Sequence, residues 1–372
     1  MDPSYKITFC IICMNRLGHL QQTLQRNLAD NPPNENVELL LLNYNSKDAM
    51  EPWVRENFQR ELAGGHFVHF KTPDPAVFDH SHSKNLAFKL ARGEIVCNIN
   101  ADVFMGPGLA SHVLEAFARH PESFLHPQPG LRFGAGAAGI ICVRKSDFLK
   151  VEGFDERMKI YGWEDVDFQN RLAHAGIQRL HITDERFCNA MDHPDKYDSR
   201  MLGARIHAVY LDRVLLAHVH RFTVLMLFSD GSYKLGQMIN HAVRGGGIPV
   251  IPAGGPRPYF QYEIEGEAWQ TGRWTHGPNG YRLIRAVPVE ELPLLEKNTE
   301  MYILQEGNAE TPFWRVRNRH VLDWLAYFEM DYKNRVLMLT NDRDKKTAIN
   351  NGIFGQATVY RNFDPKMPVR VE

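Results

Sequence analysis

The first two hundred residues alternate short apolar runs with longer amphipathic ones. ITFCIICM (7–14), VELLLLNYN (37–45), HFVHFKT (66–72) and EIVCNINAD (94–102) are apolar nearly throughout, rather than at every second position. That is the pattern of strands buried on both faces. Helical periods lie between them. LGHLQQTLQRNLAD (17–30) sets Leu17, Leu20, Leu24 and Leu28 on one stripe. EPWVRENFQREL (51–62), SHSKNLAFKLAR (81–92, stopped by Gly93) and GLASHVLEAFARH (108–120) are also helical. AAGIICVRK (137–145) reads as a further strand, and YGWEDVDFQNRL (161–172) opens another amphipathic run. A strand–helix alternation of this kind predicts an α/β fold, with a mostly parallel sheet covered by helices on both faces. The stretch 195–228, judged by HAVYLDRVLLAHVHRF, is predicted helical.

The texture changes near residue 229. RGGGIPVIPAGGPRP (244–258) is too rich in Gly and Pro to be a helix. Residues 259–288 resemble short antiparallel strands around a Gly-Pro-Asn-Gly turn, FWRVRNRHVLDWLAYFEM (313–330) a helix, and NRVLMLT completes a small α+β tail. The expected organisation is therefore a domain over 1–228, a linker or loop over 229–258, and an extension over 259–372. The tail carries Trp269, Trp274, Trp314 and Trp324, four of the six tryptophans. Their ordinary role is core packing, and carbohydrate contact is the alternative.

Composition narrows the function classes. Forty-three basic and 44 acidic residues leave a net charge of −1, which argues against bulk attraction to nucleic acid or anionic lipid. The five cysteines are odd in number and sit among apolar neighbours, as reduced buried thiols do. Cys10 and Cys13 match a CxxC spacing, but within a strand they point to opposite faces and cannot share a ligand. The opening segment has no cleavable leader pattern, and no stretch reaches the ~20 apolar residues of a membrane span. A soluble cytoplasmic protein is expected, with at most peripheral membrane contact.

Ligands in parallel α/β sheets sit at the carboxyl ends of the strands. Three of the strands end in polar residues: Asn15-Arg16, Asn43-Tyr44-Asn45 and Asn100-Ala101-Asp102. An apolar strand that delivers Asn-x-Asp into a loop can hold Mg²⁺ or Mn²⁺ through oxygen ligands, or can simply end in an Asx turn. Trp163, Glu164, Asp165 and Asp167 crowd acids at a helix start. The helix dipole accounts for one or two of them. A catalytic carboxylate beside an aromatic sugar platform would account for the rest.

CIICMNR, LLLLNYNSKD, SKNLAFKLARGEIV, NINADVF and GFDERMKIYGWEDVDFQNRL occur in that order over residues 5–200. Together they resemble the GT-A glycosyltransferases of the family-2-like group, and the last resembles the C-terminal motif of the β-1,4-galactosyltransferases. The resemblance implies a nucleotide-sugar donor, most simply a UDP-sugar, a saccharide or other glycoconjugate acceptor, and a divalent cation, Mn²⁺ or Mg²⁺. Asp102 then matches the metal-binding Asp, with Asn100 replacing its usual acidic partner. Asn43 stands where the family has an Asp near the nucleobase. Lys84 and Asn85 match a basic-Asn pair near the donor diphosphate, and Asn15, Arg16 and Asn45 line the donor side. Asp165 matches the general base of inverting members, Glu164 an acceptor-binding acid and Trp163 a sugar platform, while Asp167 is a helix-start charge. His193, 28 residues after Asp165, completes the metal site. Met191 is one residue out of register for the methionine ligand of the galactosyltransferases, where Ala190 stands.

His80 and His82 read as loop residues near the donor, and GAGAAG (134–139) as an acceptor-side loop. No phosphate loop, Gly-x-Ser-x-Gly or His-Glu-x-x-His motif is present. The expectation is a metal-dependent inverting glycosyltransferase of polysaccharide biosynthesis. A retaining GT-A enzyme, a nucleotide-sugar-binding module that has lost catalysis and a nucleotidyltransferase are the alternatives.

Overall fold

The expected alternation of strand and helix is present through residue 190 of the computed structural model, which describes residues 5–128, 139–191, 206–212, 221–240, 262–264, 270–273, 287–289, 299–306, 309–315 and 333–372. The elements run β1 (Tyr5–Cys13), α1 (Leu17–Asp30), β2 (Val37–Tyr44), α2 (Met50–Asn57), α3 (Gln59–Ala63), β3 (Phe67–Thr72), α4 (His80–Leu90), β4 (Gly93–Asn100) and β5 (Val103–Phe104). They continue with α5 (Leu109–Arg119), β6 (Ser123–Pro127), β7 (Ile141–Arg144), α6 (Lys145–Lys150), α7 (Glu164–His174), β8 (Gln178–Ile182) and β9 (Asn189–Ala190). All eight residues of β2 are buried, as a two-sided apolar strand requires.

The chain divides into two units, Met1–His193 with Asn334–Glu372, and Pro194–Lys333. The first is built on a nine-stranded sheet. From one edge inward its parallel core runs β3-β2-β1-β4, followed by β7, β6 and β8. β7 is antiparallel to both β4 and β6, and β6 is parallel to β8. Helices cover both faces. On one side α1, α2 and α5 bury Leu20, Leu24, Val54, Val113 and Phe117, together with Cys13 of β1. On the other, α4, α6 and α7 bury Leu86, Phe88, Phe148 and Phe168, together with Cys10. The CxxC pair is thus split across the sheet, both thiols free, and burial pushes Cys13 up to about 12.

The second unit contains β10 (Ile206–Leu211), β11 (Arg221–Phe228), β12 (Ser232–Asn240), β13 (Tyr262–Ile264), β14 (Gln270–Arg273), β15 (Val287–Val289), β16 (Thr299–Glu306) and β17 (Ala309–Arg315) in an antiparallel sheet. The helix expected over 195–228 is therefore corrected to strands at 206–211 and 221–228. Ala208, Tyr210, Leu225 and Leu227 cluster on one face, a period of two that the helical reading overlooked. The linker expected over 229–258 begins instead with strand β12, and 313–315 belongs to β17 rather than to a helix. Residues 244–258, Trp269, Trp274 and Trp324 lie outside the described residues.

The extension expected over 259–372 is also divided. Its last part returns to the first unit as a helix over 333–343, then β18 (Ala357–Arg361) and β19 (Pro368–Val371). β18 pairs antiparallel with β3, placing Tyr360 opposite Lys71, and β19 extends the same sheet. The boundary expected at residue 228 accordingly falls at 193. Among the described residues, no helix is long and apolar enough to cross a membrane.

Candidate active site

Parallel pairing brings the polar strand ends level. Asn43 of β2 lies opposite Cys13, and Asn100 of β4 lies opposite Ile12. The two loops beyond β1 and β2 are tied to each other. Asn15, in the left-handed region at φ 56°, accepts the Lys47 N–H at 2.6 Å and donates its own to Ser46 Oγ. Asn43 Oδ1 accepts the Ser46 N–H at 2.8 Å. Asn45 (φ 59°) donates to the Pro75 carbonyl and accepts from Lys47 Nζ, each at 2.7 Å. Asp48 accepts the Leu17 N–H at the start of α1, where Arg16 is the N-cap residue. Asn15, Asn43 and Asn45 therefore lie at the carboxyl edge, and their amides shape its loops.

A second group forms where α4 meets α7. Lys84, buried in α4, donates to Glu164 Oε1 at 2.9 Å and to Asp165 Oδ1 at 2.5 Å. Glu164 is buried and Asp165 partly exposed. Burial pushes the Glu164 carboxyl up, but the Lys84 charge outweighs it and holds the group at about 2. Asp165 is pushed up to about 6 by burial, with the neighbouring Glu164 charge adding to the rise and Lys84 opposing it. Two carboxylates sharing one ammonium take up protons as a unit, and the first proton is favoured on Asp165. His80 Nδ1 stands 3.7 Å from Glu164 Oε1, its ring edge-on to Phe78 and Tyr161, and burial lowers it to about 4. His80 and His82 belong to the first turn of α4 rather than to a loop.

The remaining oxygen of Asp165 faces the end of β4. A Cβ placed on Gly139 would stand 3.1 Å from Asp165 Oδ2 and 3.3 Å from the Asn100 amide nitrogen. Asn98, which sequence reasoning passed over inside NINADVF, donates to both Asn100 Oδ1 and the Gly139 carbonyl. Asp165, Asn100 and Gly139 thus share one corner. Residues 134–138 of the Gly-rich run lie outside the described residues.

Asn85 is not presented to that corner. Its amide donates to the Phe154 carbonyl and to Glu156, and its Oδ1 accepts the Phe154 N–H at 2.7 Å. Gly153, at φ +64°, fits against it only because a Cβ there would lie 2.2 Å from Asn85 Oδ1. In this structure the buried amide of Asn85, expected at the donor, is engaged by the 154–156 loop instead. Asp167 also does more than charge a helix start. It is buried, paired with Arg171 at 2.7 Å, and accepts from Asn341, which also donates to Asp155. Arg171 continues to the carbonyls of Val151, Gly153 and Thr347. A buried polar network therefore fixes α7 to the 151–157 loop and to the C-terminal helix.

Asp102 follows β4, and its carbonyl accepts the Met191 N–H at 2.8 Å. The same approach pairs Val103 with Ala190 in β5 and β9. His193, two residues beyond Met191, lies outside the described residues. A carboxylate and an imidazole are a donor set suited to Mn²⁺. Among the described residues no cluster of three His, Cys, Asp or Glu side chains could hold a metal.

An α/β sheet of order 3-2-1-4 with acids gathered at its carboxyl edge places this corner where ligands bind in such sheets. Residues 8–141 match the family described as glycosyl transferase family 2, and residues 122–194 match the N-terminal domain of galactosyltransferase. Over residues 8–194 the chain thus matches a glycosyltransferase family model followed by a galactosyltransferase segment. Solved structures similar to it include a mannosyltransferase from Pyrobaculum calidifontis in complex with GDP-Man and Mn²⁺ (15% identity, 50% of this chain and 57% of that one, TM-score 0.41). Another is S. aureus TarS 1–349 in complex with UDP (15%, 52% and 62%, TM-score 0.42). A third is a mutant Drosophila β-1,4-galactosyltransferase 7 in complex with manganese, UDP-Gal and xylobiose (15%, 53% and 74%, TM-score 0.36). The chain spans less than two thirds of the length of the first two.

Proposed function

We propose that this protein is a metal-dependent, inverting glycosyltransferase that moves a hexose or N-acetylhexosamine from a nucleotide sugar, a UDP-sugar in the simplest case, to a hydroxyl of a saccharide acceptor. The observation that carries the reading is Asp165. One of its oxygens is fixed by Lys84 at 2.5 Å, and the other faces Asn100 and Gly139 at the end of β4. In the displacement, the acceptor oxygen forms a bond to the anomeric carbon as the bond to the diphosphate oxygen breaks. The diphosphate leaves with the bonding electrons, and Asp165 takes the hydroxyl proton. A carboxylate whose proton affinity is raised toward neutrality is suited to that work. Glu164, held ionised by Lys84, would orient acceptor hydroxyls, and Trp163 at the helix start would lie against a sugar ring. The cation, held by Asp102 and His193, would offset the charge developing on the leaving diphosphate.

The test is Asp165→Asn in the full chain. Transfer is expected to fall by at least ~10³-fold, the scale of losing a general base together with its charge, while calorimetry still registers UDP. Retained turnover would remove Asp165 from the role. Product anomericity by NMR tests inversion, and a retained configuration would assign the reaction to the other stereochemical class.

A further inference from the structure

The segment that brings Glu164 and Asp165 together has an unusual backbone. Ile160, Gly162 and Trp163 have φ values of 69°, 100° and 69°. Two of these residues have side chains that disfavour the left-handed region, and Ile160 is also β-branched. Such a turn persists only when its surroundings over-determine it. The Ile160 carbonyl accepts the His80 N–H, and the Gly162 N–H donates to Glu164 Oε2. The two flanking carbonyls go elsewhere. Asn334, only 2% exposed, donates its side-chain amide to the Lys159 carbonyl at 3.2 Å and to the Tyr161 carbonyl at 2.9 Å.

Asn334 comes from the far end of the chain, in the helix over 333–343. That helix lies along α7. Met338 Sδ accepts from Asn170, Asn341 donates to Asp167, and Asp342 meets His174. Asn334, Met338 and Asn341 are its buried positions, at i, i+4 and i+7, so one helix face carries all these contacts. The strained turn is held at Asn334 and the helix it launches is held at Asn341.

We infer that Asn334 is a positioning residue. By holding the carbonyls on both sides of Ile160 it fixes the left-handed turn, and through the turn it sets where Trp163, Glu164 and Asp165 stand. The inference deepens the transferase reading and rests on it for its consequence in turnover. It gives residues 334–372 a part in acceptor alignment. Asn334→Asp keeps the shape but turns a carboxylate oxygen toward two carbonyls. Asn334→Ala removes the donor altogether.

The test combines hydrogen exchange with kinetics on the full-length variants. Exchange of the amides over 160–166 is expected to rise at least tenfold, with those of β1 and β4 unchanged. Transfer is expected to lose at least tenfold in kcat, while UDP affinity changes less than twofold. A role in stability alone would move UDP binding, β-sheet exchange and turnover together. That outcome overturns the inference, as would wild-type exchange over 160–166, or faster exchange there with kcat unaltered. Absence of transfer by the wild-type chain with any nucleotide sugar would count against the transferase reading instead. The exchange of the turn in the two variants would then decide on Asn334 by itself.

Discussion

Lys84 is the residue whose removal tests the electrostatics of the site most directly. Its ammonium lies 2.9 Å from Glu164 and 2.5 Å from Asp165, and 5.1 Å above the Phe154 ring, with 3% of the residue exposed. Burial alone would lower its proton affinity. The two carboxylates outweigh that and raise it, so it is charged at any working pH. Lys84→Met keeps the stem and removes the charge. Two unit charges ~4 Å apart at an effective dielectric of ~20 interact by about 4 kcal/mol, which corresponds to roughly three pKa units at ~1.36 kcal/mol each. Asp165 keeps 23% of its side chain in solvent, so screening cuts the rise to about one or two units above its present value of about 6.

If Asp165 is the base, wild-type activity should rise with pH through about 6. In Lys84→Met that limb should move to roughly pH 7–8 in a profile of kcat/KM, by the one to two units derived above. Stability should fall as well, because breaking a buried pair leaves Glu164 uncompensated, at a cost of about 3–5 kcal/mol. In a domain of this size that is roughly 6–20 °C in melting midpoint. The sign for Glu164 follows from its lowered value of about 2. The stability it contributes with Lys84 is present above its ordinary carboxylate range and is lost as pH falls through about 2, so the variant and wild type should converge in acid. An unmoved acid limb together with an unmoved midpoint would refute the reasoning.

Three further outcomes are expected. EDTA should remove transfer and Mn²⁺ restore it, and Asp102→Ala should weaken Mn²⁺ binding in the presence of UDP by about 10–100-fold by electron paramagnetic resonance; indifference to chelator would take Asp102 and His193 out of the metal role. Gly139→Ala brings a methyl to 3.1 Å from Asp165 Oδ2, so kcat should drop by about tenfold for a displacement of a few tenths of an ångström, with the melting midpoint held within about 2 °C because the site is at the sheet's edge. Asn341→Leu leaves oxygens of Asp155 and Asp167 without their amide donor, costing about 2–5 kcal/mol, which chemical denaturation would register as a lowered midpoint.

Most of the fold of the first unit was legible because buried parallel strands carry a strong signal. Unbroken apolar runs such as VELLLLNYN have no amphipathic alternative, and three of the four parallel ones end at a turn-forming Asn. The placement of Cys10 and Cys13 on opposite faces followed from strand geometry alone. The failures came where that signal weakens. IHAVYL and RFTVLMLF contain apolar residues at both helical and strand spacings, and only cross-strand pairing, such as Tyr210 with Leu225, decides between them. The return of residues 334–372 to β3 was invisible for a different reason. Pairing of Tyr360 with Lys71 spans nearly the whole chain, and no local pattern encodes so distant a partner.

The candidate site divides along the same line. Its strand ends were readable because topology forces them to one edge. What each polar side chain does there was not, since that depends on which neighbour reaches it first. Asn85 follows Lys84 directly in sequence, yet it is engaged by Phe154 and Glu156 while Lys84 turns to the carboxylates. Both satisfy a buried polar group, and only one leaves it where chemistry can occur. Asp167 and Asp165 show the same division two residues apart on α7. The buried Asp167 is closed by Arg171 and Asn341, whereas Asp165 keeps one oxygen directed at the corner formed by Asn100 and Gly139. A run of acids at a helix start therefore does not name its own base. On the proposed reading the base is the acid whose second oxygen the fold leaves uncovered, and the covering of Asp167 is done by a helix more than 160 residues downstream.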